Sequence, residues 1–169
     1  MSRQSVWYLG CLGVSFLMLF AMGCKKEKKE STPELQTREF MVGPKTLKMD
    51  LVPRMRPASC SGCAVFEGAG YSAYIVQAGS TNEAKSLEQA IERYKEELFN
   101  KDAAPTGKAL DEGFLVSGPE LVMHWRKVDR YSPILCKIKA TNGGSKERQA
   151  MMEKMCLSMF NPYDKKKKK

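Results

Sequence analysis

From Val6 to Gly23 the chain holds no charged residue, and this run ends at Gly23-Cys24 against a cluster of lysines. One cation, Arg3, precedes it, and Leu, Phe, Val and Met dominate it, which is the layout of a secretory signal peptide. That layout takes residues 1–23, with Cys11, out of the fold and leaves 146 residues to form one domain around a single core. An uncleaved transmembrane helix is the competing reading, since the 18 uncharged residues just reach the length a span needs, about 17–25 residues. It predicts the opposite topology. Lys25, Lys26, Lys28 and Lys29 outnumber Arg3, so the positive-inside rule would keep the rest of the chain in the cytoplasm, its thiols free.

The tetrapeptide Ala21-Met22-Gly23-Cys24 resembles the lipobox of bacterial lipoproteins. It matches at Gly23-Cys24 and departs at Ala21 and Met22, where that family usually has Leu and a small residue. The resemblance implies cleavage before Cys24, a diacylglyceryl thioether on its sulfur and an acylated amino group. Several acyl chains anchor far more firmly than one, because each buried methylene contributes about 0.8 kcal/mol. Lys25, not Asp, follows Cys24, which resembles lipoproteins passed to the outer membrane in organisms with two membranes.

The chain beyond Gly23 carries a formal side-chain charge of +8, much of it at its ends. Lys25, Lys26, Lys28 and Lys29 stand at one end and Lys165, Lys166, Lys167, Lys168 and Lys169 at the other. Such segments bury too little apolar surface to offset the entropy of ordering, so residues 24–42 are expected as a flexible tether and 163–169 as a disordered tail. Both lysine groups could lie on an anionic lipid surface, at about 1 kcal/mol per lysine, or simply be solvated. The body between them is near neutral and lacks basic residues interleaved with aromatics, so no nucleic-acid partner is expected.

Residues 43–162 read as one α+β domain. Alternation predicts a strand over Thr46–Val52, and Pro53 and Pro57 make Val52–Cys63 a loop or edge segment. Ala64–Gly79 gives two β-rich runs broken at Gly68-Ala69-Gly70, a hairpin. Capping boxes at Ser80 and at Ser86 both suit the start of a helix in which Leu87, Ala90, Ile91, Tyr94 and Leu98 form one apolar stripe. Lys108–Gly118, Glu120–Val128 and Tyr131–Thr141 follow as strands joined by turns at Gly118-Pro119 and Asp129-Arg130. Ser145 then caps a second amphipathic helix with Met152, Met155, Cys156, Met159 and Phe160 on its stripe, stopped by Pro162. The result is a mostly antiparallel sheet with two amphipathic helices packed on it. This element order, with "TGKALDEGFLVSG" and "CKIKATNGGSKERQAMMEKMCLSM", resembles PsbP-like and DcrB-like small periplasmic domains. The resemblance implies a PsbP-like sandwich and a binding or assembly role, and no catalytic motif.

Four cysteines fall in the domain, and four in an exported domain allow three pairings. Ile134, Cys136 and Ile138 alternate onto one face, and Cys156 lies on the inward stripe of the last helix. The favoured pairing is therefore Cys136–Cys156 with Cys60–Cys63, ahead of the cross-pairings. Cys60-Ser61-Gly62-Cys63 also admits a redox-active dithiol, or zinc held by all four cysteines. A strand-like run follows it and no Trp precedes it, against a thioredoxin-type site; Ala64 excludes C-x-x-C-H haem attachment. Oxidising compartments favour disulfides over zinc.

His124 is the only histidine, which excludes a two-histidine metal site. It is read as an ordinary sheet-surface residue, alternating with Val122 and Arg126 and opposite Met123 and Trp125. Met151, Met152, Met155 and Met159 could bind Cu(I) as thioethers, but their stripe must pack on the sheet, and methionine fills cores readily. No nucleophile elbow, phosphate loop or carboxylate cluster appears, so no enzyme activity, cofactor or metal is expected. The expected function is a lipid-anchored component of the cell envelope that binds or assembles with another envelope protein. The alternatives are an envelope redox or metal-binding protein using Cys60 and Cys63, and a cytosol-facing protein with a helix anchor.

Overall fold

Alternating apolar residues bounded by Gly and Pro turns account for most of the backbone. The computed structural model describes residues 33–79, 81–128 and 133–163. The segment read as a signal peptide, Cys24, the lysines of both ends, the capping position expected at Ser80 and the turn expected at Asp129-Arg130 lie outside them. The elements are β1 (Gln36–Val42), β2 (Lys45–Leu51), β3 (Arg56–Ala58), β4 (Cys63–Gly68), β5 (Tyr71–Gln77), α1 (Leu87–Glu97), β6 (Thr106–Leu110), β7 (Gly113–Ser117), β8 (Leu121–Arg126), β9 (Ile134–Ala140) and α2 (Lys146–Ser158). Seven strands form one sheet in the order β3-β4-β5-β9-β8-β7-β6, and β1 pairs with β2 in a separate hairpin. Every pairing is antiparallel. The fold class is α+β, as the sequence indicates.

The pleat divides the large sheet into two faces. Ile134, Cys136 and Ile138 of β9 register with Gln77, Ile75 and Ala73 of β5 and with Arg126, His124 and Val122 of β8. This face meets α2 and the β1-β2 hairpin, and the larger core fills the space between them. On the other face Leu135, Met123, Trp125 and Val116 pack with Ala90 and Tyr94 of α1 in a second cluster. The helices thus cover opposite faces, with α1 over β6 and β7 and α2 over β8 and β9.

Both helices start where their caps indicate. Ser86 accepts a hydrogen bond from the Gln89 backbone N–H at 3.3 Å, and Ser145 accepts one from the Arg148 N–H at 3.2 Å, satisfying donors that the first turn leaves open. On α2 Met151 is buried as well as Met152, Met155 and Cys156. The stripe is wider than one sheet contact requires because α2 also packs against β2. There the Asp50 N–H donates to Ser158 Oγ at 2.8 Å, and Lys48 and Phe160 exchange two backbone hydrogen bonds of 2.8 Å.

Three expectations change. The second helix ends at Ser158, so Met159 and Phe160, expected on its stripe, lie beyond it, and Phe160 bridges to Lys48 instead. The segment assigned to the flexible tether contains β1: its residues Gln36–Val42 pair along the whole of Lys45–Leu51, with Val42 buried and Phe40 packed edge-on against Phe66. Its mostly exposed, polar sequence hides it from a hydrophobic reading, since a hairpin strand covered on one side needs few apolar residues. The run Lys108–Gly118, read as one strand, is two. It turns at Asp111-Glu112, and Gly113 sits at φ +147 where the chain re-enters the sheet. The Val52–Cys63 segment is as anticipated, with the short strand β3 holding Pro57 on the sheet edge, where a missing N–H does no harm.

Candidate functional site

Cys60 and Cys63 form a disulfide, with their Cα atoms 5.4 Å apart. Gly62, at φ +73, gives the left-handed turn that closes so short a loop. Cys60 is exposed, and Cys63 opens β4 opposite Val76 of β5. The bridge is therefore within reach of an attacking thiolate. A strand, not a helix, follows Cys63, so no helix N-terminus is present to lower the pKa of a released thiol there.

Cys136 and Cys156 come together as the alternation implied, but the expected bridge between them is absent. Both are free, fully buried thiols, and Cys156 Sγ donates to the Cys136 carbonyl oxygen at 3.8 Å. Burial pushes the Cys156 thiol well above its ordinary range, with Cys136 and Glu153 adding to the effect. A thiol so protonated and enclosed is a poor nucleophile. The four cysteines remain two separate pairs.

His124 is not on the surface as anticipated. It lies directly opposite Cys136 in the β8–β9 register and is only 2% exposed, because α2 crosses that part of the sheet. Its Nδ1 lies 3.1 Å from the Cys156 carbonyl oxygen, which can only accept, so the proton sits on Nδ1. Burial lowers the pKa to about 4; the Cys156 hydrogen bond and Glu112 oppose this and Arg126 reinforces it.

Beside His124, Arg126 secures the end of α2. Its Nε and Nη2 donate to Glu112 Oε2 at 3.0 and 2.9 Å. Nη1 donates to the carbonyl oxygens of Leu157, at 3.1 Å, and Met159. The cation thus satisfies carbonyls that the last turn leaves unpaired and complements the negative end of the helix dipole. Arg126→Ala should cost about 2–3 kcal/mol, since its charge-assisted hydrogen bonds to Glu112 and to the carbonyls at the end of α2 are lost. Urea unfolding at neutral pH measures this; Arg126→Lys should recover only part, lacking the planar fork. The sequence shows Arg126 only as one more alternating residue, and nothing in it links the residue to Glu112 or to α2.

Leu110, Asp111, Glu112, His124, Arg126 and Leu157 line an open cleft. Among the described residues no three His, Cys, Asp or Glu side chains lie close enough to hold a metal ion. Met152, Met155 and Met159 are fully buried in the core, which accounts for the methionine stripe by packing. Among the described residues no helix is long and apolar enough to cross a membrane. No family model, curated protein or solved structure matches the chain.

Proposed function

We propose that this chain is a lipid-anchored protein of the bacterial cell envelope, its α+β domain acting as a binding or assembly component on the extracytoplasmic side. The observation that carries the reading is Ala21-Met22-Gly23-Cys24 at the end of the uncharged run, followed at once by lysines. Cys24 takes the acyl groups, Lys25, Lys26, Lys28 and Lys29 lie next to the lipid surface, and Lys165–Lys169 supply a second basic contact. The exposed Cys60–Cys63 bridge supports this side of the membrane, because disulfides persist in oxidising compartments. In an organism with two membranes, Lys25 after Cys24 directs the protein to the outer one.

Intact mass of the full chain extracted from membranes, before and after reduction, tests this. The expected mass is that of a chain starting at Cys24 with acyl groups, gaining on reduction the hydrogens of one disulfide. A gain corresponding to two would mean that Cys136 and Cys156 also bridge in the envelope. A full-length mass with unmodified thiols would sink the proposal and support the helix-anchored, cytosol-facing alternative.

A second reading rests on the exposure of Cys60: exchange of the Cys60–Cys63 disulfide with a partner dithiol, whose oxidation would release the two thiols here. Thiol labelling in intact cells would show a mixed population if the pair cycles, and a fully oxidised one if it is a structural staple.

A further inference from the structure

His124 uses only one of its two ring nitrogens within the fold. The Cys156 carbonyl takes the Nδ1 proton at 3.1 Å, which leaves Nε2 with a lone pair and no hydrogen-bond partner among the described residues. Among those residues every wholly buried side-chain nitrogen or oxygen has a partner. Nε2 therefore keeps a narrow opening, although the residue as a whole is 2% exposed. The opening is the cleft that His124 lines.

What that cleft, of about 290 Å³, can hold follows from its lining. Asp111 and Glu112 bring two carboxylates and Arg126 one cation, a net charge of −1. Each of the three Arg126 nitrogens already donates to Glu112 or to the end of α2. An anion would thus meet two carboxylates and find the guanidinium engaged. The histidine and the carboxylates are too spread to share a metal ion. Two of the five large apolar side chains exposed among the described residues, Leu110 and Leu157, line the same cleft, so an aliphatic stem would find apolar walls there.

We propose that the cleft binds a small organic cation bearing several N–H donors on an aliphatic stem, of the alkylguanidinium kind. One N–H donates to Nε2 of His124, another faces the Asp111 carboxylate, and the stem lies on Leu110 and Leu157. A planar guanidinium spreads its donors and so serves acceptors that one metal ion cannot bridge. A free solute and an arginine side chain of a partner offer the same chemistry. The site belongs to the domain and holds whether or not Cys24 is acylated.

The test uses the full chain in detergent at neutral pH, with isotopically labelled histidine. His124 is the only histidine, so the imidazole nitrogen resonances report this cleft alone. Butylguanidinium should shift the Nε2 resonance saturably, with a dissociation constant on the order of a millimolar, and leave Nδ1 in place. Butyltrimethylammonium has the same charge and stem but no N–H, and should bind about tenfold more weakly. Asp111→Asn, at an exposed position, should weaken butylguanidinium about fivefold at an unchanged melting temperature. A peptide with one arginine between glycines separates the sources: binding as tight as butylguanidinium or tighter assigns the site to a partner's side chain, weaker binding to a free solute. No saturable shift of Nε2 would overturn the proposal and leave that nitrogen to water. Equal affinity for the two cations, or no effect of Asp111→Asn, would overturn it as well.

Discussion

Gly113→Ala is expected to abolish the native fold or to cost at least about 4 kcal/mol, among the largest effects a single methyl group can have. A Cβ at this position would lie 1.8 Å from the Trp125 carbonyl oxygen and 2.8 Å from its carbon. Neither atom can retreat, because Trp125 is held in the β8–β9 ladder opposite Leu135 while its indole N–H donates to the Asn82 carbonyl at 2.7 Å. At φ +147 the backbone is also in a region that side chains rarely adopt. The comparison is Gly62→Ala, where φ is +73 but no atom stands within 4 Å; only the left-handed penalty applies, about 1–2 kcal/mol. Thermal and urea unfolding of the two proteins separates steric exclusion from backbone strain. Similar losses at both positions would mean that β7 and β8 do not meet as described.

Stability should fall by about 3 kcal/mol as the pH drops from 6.5 to about 4, through His124 alone. Its pKa is near 6.5 in the unfolded chain and about 4 in the folded one, so over this window the unfolded state binds the extra proton. Stability is full above pH 6.5, declines by up to about 1.4 kcal/mol per pH unit, and levels off below pH 4, where the folded protein is protonated too. Glu88 and Glu147, at the starts of the two helices, hold their carboxyls below the usual 4.5 through local hydrogen bonds, so they act only in the lowest part of the range. Urea unfolding at pH 7 and pH 5, on the parent and on His124→Gln, isolates the histidine. The parent should lose stability between the two and the variant should be nearly flat; equal slopes would place His124 in solvent.

Much of the fold was legible because its signals are local. Ser86 and Ser145 mark helix starts through hydrogen bonds made within one turn, and the Gly68-Ala69-Gly70 and Gly118-Pro119 breaks sit where the hairpins turn. The alternation of β9 placed Cys136 on the buried side together with Ile134 and Ile138. β1 was missed because its pairing to β2 is made by backbone groups, and Gln36–Val42 buries only Val42 fully. The break at Asp111-Glu112 was missed because apolar residues continue on both sides of it, whereas Gly113 alone carries the unusual φ.

By itself the sequence determined the alternation of most strands, the start of α2 at Ser145, a choice of two starts for α1, the α+β class and the proximity of Cys136 to Cys156, all consequences of period and of contacts between neighbouring elements. Only the tertiary structure decided that the two helices cover opposite faces of the sheet. Alternation says that Val122, His124 and Arg126 share one face and Met123 and Trp125 the other; it does not say what lies over either. With α2 across the first face, His124 is buried and neutral and Arg126 becomes the clamp on a helix end more than thirty residues further along the chain. Burial depends on what packs from a distance, and that is a property of the assembled chain.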